Sequence, residues 1–260
     1  VPATLVLLMI EAWKLPFVAA LPIGIAAAMV AGAVVELLVI RRFSRASRLV
    51  VLVATIGVSQ ALAVAAVVLP SAFGRIPADR SFAPPASWRW TIGQVVFSAN
   101  DLIGAVATVV ALGALAWFLL RTDVGIAVRA SAERADRAGM LGIPVGRLQT
   151  GVWIVAAVLS FLATFLTAGI TSLAPGYAVT LTVVLRAMAA LVMGGMVHLG
   201  AITASAVVLG LLESGIVARH GDANLVPPIL AVIILLALLG QRRGVARVER
   251  DAAFRDALLT

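Results

Sequence analysis

The chain repeatedly runs apolar for close to twenty residues, and this recurrence constrains its fold more than any motif does. Residues 16–40, 49–69, 102–120, 151–170, 178–196 and 199–217 are such runs, separated by polar or turn-forming stretches, of which 70–101 and 121–150 are long. A helix rises ~1.5 Å per residue, so about twenty apolar residues cross a hydrocarbon core of ~30 Å. Lipid offers backbone N–H and C=O groups no partners, so only helices and closed barrels span it. The alternating ten-residue pattern of a barrel is absent. Composition agrees with helices: 62% of residues are hydrophobic and only 12% charged, against ~25% charged in a soluble domain. The expectation is an all-α, polytopic α-helical integral membrane protein, with about six complete transmembrane helices plus a truncated N-terminal one. Residues 1–10 are too short to cross and read as the tail of a helix whose start is missing. Residues 225–240 form a short last run. The whole chain, 1–260, reads as one transmembrane domain.

The net charge of +8 at first invites a nucleic-acid partner. The distribution argues otherwise, because the arginines cluster just outside the apolar runs. One set of connections holds Arg41, Arg42, Arg45 and Arg48, then Arg121, Arg129, Arg134, Arg137 and Arg147, then Arg242, Arg243, Arg247, Arg250 and Arg255. The opposite set holds Lys14, Arg75, Arg80, Arg89 and Arg219. Basic residues collect on the cytoplasmic side of membrane proteins, so residues 121–149 and the basic tail 241–260 are expected inside. The long connection 70–100 is then outside, where residues 82–92, rich in Pro and Trp, are suited to lie along the membrane surface. There is no cysteine, which removes disulfides and thiolate metal sites.

The segment 121–149, RTDVGIAVRASAERADRAGMLGIPVGRLQ, is polar and cannot lie in lipid. Ala, Arg and Val give residues 124–138 about four turns of helix, with Gly139, Gly142 and Pro144 expected to break it. Such a helix is either a handle for a soluble partner or a solvated connector.

Several polar or small residues sit inside the apolar runs. Gly24, Ala28, Gly32 and Glu36 recur every four residues on one helix face, where small side chains admit another helix. Glu36 reads as an interfacial carboxylate paired with Arg41 or Arg42, in preference to a proton relay. Ala156, Ser160, Thr164 and Ala168 form a second small stripe. Thr55, Ser59 and Gln60 either line a solute path or bond a neighbouring helix. Arg186 lies well within a run and needs a partner or water. Gly194, Gly195 and His198 mark a turn ahead of the next run, which contains Glu213.

Known catalytic and nucleotide-binding devices are missing. The single lysine, Lys14, has no Gly before it, so there is no G-x-x-x-x-G-K-[ST] loop. There is no H-E-x-x-H and no Cys/His cluster, and no cofactor is expected. Gly57-Val58-Ser59 with His198 faintly resembles an intramembrane serine protease, but Gln60 and Ala61 follow where a second Gly belongs.

The polar segment and its flanks resemble the permease subunits of branched-chain amino acid (leucine/isoleucine/valine) ABC transporters. That family shows T-x-x-G-x-x-x-R-A in its cytoplasmic loop, and here stand Thr122, Gly125, Arg129 and Ala130, followed by Ala135 and Leu141-Gly142-Ile143. Residues 36–45 are similar to its E-R-hydrophobic-R-P-L-R turn, and residues 54–59 match its A-T-I-G-[LV]-S motif. Arg186-Ala187 through Gly194-Gly195 looks like its [KR]-A-x5-G-G stretch. The family's first span is absent, and Met196 to Leu199 are bulkier than its usual small turn. The resemblance implies a multi-pass permease, not an enzyme, in a bacterial inner membrane. Separate ABC ATPase subunits would power it, a second permease subunit would complete the path, and a periplasmic solute-binding protein would deliver the solute. On this reading Thr122, Gly125, Arg129, Ala130, Ala135 and Gly142 couple the chain to the ATPase. Thr55, Ser59, Gln60, Arg186, Gly194 and Gly195 are pathway or helix-contact candidates. Alternatives are a urea or short-amide importer of the same type, the protease, or a non-transporting scaffold.

Overall fold

A computed structural model describes residues 6, 17–43, 46–72, 89–92, 95–133, 135–170, 181–195, 199–220, 228–229 and 231–236. Five helices among them are long and apolar enough to cross a membrane: Ala19–Ile40, Leu49–Ala66, Ala99–Arg121, Val145–Ala168 and Leu199–Ile216. The all-α membrane class expected from the sequence is therefore the observed one. Their surfaces are apolar, with Leu38 67%, Val109 71% and Leu211 69% exposed, while most of the buried positions are small, such as Ala20, Ala28 and Ala168. Lipid tails solvate the outer face as well as leucine would, so helix association rests on close van der Waals packing instead.

The chain divides into two units, residues 1–178 and 179–260. In the first, α1 (Phe17–Val35) runs into a π-helical segment, Glu36–Ile40. Helix α2 (Arg48–Ala72) follows, then a two-stranded antiparallel hairpin of β1 (Arg89–Ile92) and β2 (Val95–Ser98). The hairpin occupies the end of the connection 70–100, which was expected outside and in part along the membrane; residues 73–88 are outside the described set. Helix α3 (Ala99–Arg121) leads to α4 (Asp123–Glu133), α5 (Ala135–Met140) and α6 (Val145–Ile170).

The core of this unit is α1 against α6. Val6, Ala20, Ala28, Phe161 and Phe165 form its buried cluster, and the Phe161 and Phe165 rings stack with centroids 5.5 Å apart. Gly24, Ala28, Gly32 and Glu36 all face inward. A Cβ on Gly24 would overlap the Phe161 ring and stand 2.7 Å from Val6 Cγ2; one on Gly32 would stand 2.7 Å from Ala157 Cβ and 2.9 Å from Trp153 O. The α1 stripe is a helix contact, as its spacing implied. The expected α6 stripe holds only in part: Ala168 is buried and Thr164 half-buried, but Ala156 and Ser160 are exposed. Helix α6 instead presents residues 153, 157, 161 and 165 at the same four-residue interval. The Phe161 ring fills the groove at Gly24, while Gly32 meets the small Ala157 and the α6 backbone at Trp153.

Glu36 is fully buried. Its Oε2 accepts a hydrogen bond from Thr150 Oγ1 at 2.8 Å, so its hydrogen-bond partner is this hydroxyl and not the expected Arg41 or Arg42. The other oxygen, Oε1, is buried without a hydrogen-bond partner among the described residues. The π segment begins at Glu36, and Arg41 N–H reaches back five residues to Glu36 O at 2.8 Å. A π-turn is wider than an α-turn and is frequent at functional sites.

The second unit holds α7 (Leu181–Met193) and α8 (Leu199–His220). Its core is Ala189, Ala190 and Leu209, with Met193, Ile233 and Ile234 packed against it. The stretch expected as a complete span at 178–196 is thus described as thirteen helical residues. Of the last run, residues 228–229 and 231–236 are helical; the tail 241–260 and His198 lie outside the described residues.

Candidate coupling segment and membrane-embedded polar sites

The polar segment enters through an elbow built by two residues. Thr122 Oγ1 donates to Phe118 O at 2.6 Å, closing α3. The same oxygen accepts from Gly125 N–H at 3.0 Å, capping α4. A hydroxyl is both donor and acceptor, so one side chain serves both helix ends. Gly125 is buried at the elbow: a Cβ there would strike Phe118 O and stand 2.6 Å from Leu119 O. Only glycine lets the first turn of α4 fold back this closely on α3.

The exit is equally explicit. Gly142 has φ +81°, Ile143 N–H bonds Ala138 O at 3.1 Å, and Gly142 N–H bonds Gly139 O at 3.1 Å. This paired capping with a left-handed glycine is a Schellman stop. Helix α5 therefore runs through Gly139, which was expected to break it, and ends at Gly142. Every described residue of the helix expected over 124–138 is helical, in α4 and α5 on either side of Arg134, which lies outside the described residues. Pro144 then precedes α6.

The six expected coupling residues thus fall into groups. Thr122, Gly125 and Gly142 shape the segment. Arg129 and Ala130 are exposed on α4. The side chain of Ala135 is outside the described set. Sequence reasoning passed over Met140 and Leu141, which are 80% and 82% exposed at the tip. Their signal was two adjacent large apolar residues in a segment that is not in lipid.

The embedded polar residues are less assembled. Thr55 donates to Leu52 O at 2.8 Å and Ser59 to Ile56 O at 2.7 Å, so each hydroxyl is satisfied by its own helix. Both are exposed, as is Gln60, on a helix whose apolar window has no buried residue. Thr55 and Ser59 share one face of α2 and Gln60 points about 100° away from Ser59; the two hydroxyls meet no other helix among the described residues.

In the second unit Arg186 Nη2 pairs with Glu213 Oε1 across α7 and α8. The sequence stated the need for a partner without naming it; the signal was an acid within the apolar length of the following helix. Gly194 is buried, and a Cβ there would stand 2.5 Å from Ile202 Cα. Gly195 has φ +71°, and its N–H bonds Val192 O at 3.1 Å. The glycine pair follows α7 and lets Gly194 lie directly against α8 at Ile202.

Long lipid-compatible helices interrupted by one polar, helical segment with capped ends define a multi-pass α-helical membrane protein. The chain belongs to the family of branched-chain amino acid transport system permease components, whose family model matches residues 1–239. It is accordingly a transmembrane permease of the ABC transporter type, in an amino-acid transport family. No curated protein and no solved structure matches the chain.

Proposed function

We propose that the chain is the permease subunit of a bacterial ABC importer for branched-chain or related amino acids. It works with separate ATPase subunits, a second permease subunit and a periplasmic binding protein, in the inner membrane, with 121–149 and the C-terminus in the cytoplasm. The observation that carries the reading is the α4–α5 segment. It is anchored at both ends, by the Thr122/Gly125 elbow and the Gly142 stop, while Arg129, Ala130, Met140 and Leu141 remain exposed. An ATPase that closes on nucleotide must push something rigidly joined to the spans, and a segment fixed to α3 and α6 meets that requirement.

Arg129→Glu and Ala130→Trp are the decisive changes, since neither side chain is buried within the chain. Each is expected to lower solute-stimulated ATPase activity and co-purification of the ATPase subunit while the spans stay folded. A buried charged contact at an interface is worth about 2–5 kcal/mol and a rim contact far less. Unchanged values for both variants would make the segment a plain connector. Uptake of labelled leucine against urea and short amides by the reconstituted complex tests the solute.

A further inference from the structure

We propose that Arg186 and Glu213 together form a contact site for the charged ends of an α-amino acid on its way through the membrane. The inference rests on the importer reading above. Arg186 is the one charged residue of α7, and Glu213 is the one acid of α8. Their pair is open on one side: the side chains are 41% and 23% exposed. Arg186 Nε is buried without a hydrogen-bond partner among the described residues, so on the open side the guanidinium offers its terminal nitrogens.

The surroundings leave room. Gly210, one turn before Glu213, has nothing within 4 Å of an added Cβ. Val183, one turn before Arg186, and Leu212 beside Glu213 are exposed and aliphatic. Lipid does not suit the open side, because a charged group facing hydrocarbon is costly. The pair must then face water or protein.

An α-amino acid carries a carboxylate and an ammonium on the same carbon and has no net charge. It can exchange partners with the pair: its carboxylate takes Arg186 and its ammonium takes Glu213. Two ion pairs replace one, total charge is unchanged, and neither side chain is left unpaired. The contact is weak because the resting pair competes for both ends, and a permeation site must release what it binds. Urea and short amides have neither charge and leave the pair closed.

The absence of native cysteine allows a direct test in the complete reconstituted complex. With Gly210→Cys, a water-soluble thiol reagent is expected to label the site. Millimolar leucine should slow labelling several-fold, and the equivalent uncharged amide should not. Protection should vanish in Arg186→Gln/Glu213→Gln, which keeps a side-chain hydrogen bond between the helices. In that double variant without the cysteine, leucine uptake should fall about tenfold, the loss of one good charged contact, while the complex keeps its Tm and its stimulation by loaded binding protein. Leucine uptake by the wild type without protection, or no labelling in any state, overturns the site alone. So does a parallel drop in uptake and Tm, which would make the pair a structural clasp. A wild-type complex that imports amides but no leucine overturns the importer's solute and this site with it.

Discussion

Thr122 uses one oxygen to end a membrane span and begin the segment beyond it. Thr122→Val keeps the shape and removes both bonds, and should lower stability by about 1 kcal/mol, the usual worth of an N-cap. Gly142→Ala forces a Cβ into a left-handed conformation and should cost about 1–2 kcal/mol, although nothing crowds that position. Thermal unfolding of the purified complex measures both. Gly125→Ala should perturb more, because the obstacle is backbone that cannot turn aside. The T-x-x-G spacing made Thr122 and Gly125 legible as a unit. It did not show which way they face, since a glycine needed for a partner and one needed by its own chain look alike in one dimension.

At the scale of elements, α1 and α6 show what a stripe can and cannot reveal. Gly24, Ala28 and Gly32 were readable because small residues at four-residue spacing permit close approach in lipid, yet Ala156 and Ser160, small and at the same spacing, are exposed. The opposing face on α6 was misread because it mixes Ala157 with Phe161 and Phe165, and bulky residues in a span equally well face lipid. Gly32→Leu is expected to destabilise the protein by a few kcal/mol, as overpacking does, with the loss visible as a lower Tm. Glu36 and Thr150 should respond unequally. Glu36→Met removes a buried carboxylate that has one unpartnered oxygen, and such replacements are often neutral or stabilising. Thr150→Val strips the only described hydrogen bond from that carboxylate and should cost about 1–3 kcal/mol. Equal Tm losses for the two would mean that Thr150 contributes nothing to holding Glu36.

For the whole molecule, fold class was legible from hydropathy because lipid allows so few solutions. The hairpin at residues 89–98 was not, since a four-residue strand carries little pattern of its own. The α7–α8 pair was half legible: one charge is conspicuous in an apolar run, but its partner is fixed only when two helices meet. Reporter fusions at Ala135 and Ala83 should score opposite sides of the membrane, the former cytoplasmic, following the bias of arginines. Signals on the same side would reverse the proposed topology.

The Arg186–Glu213 pair also bears on how the chain is made. Helix α7 contains a full positive charge, which costs about 2.5–3.5 kcal/mol at the centre of an inserting helix. Its neutralising acid leaves the ribosome 27 residues later. The two helices are therefore suited to enter the bilayer together, as a preformed pair packed at Gly194. A nascent chain halted before residue 213 should leave residues 181–193 at the membrane surface, accessible to protease, until synthesis resumes.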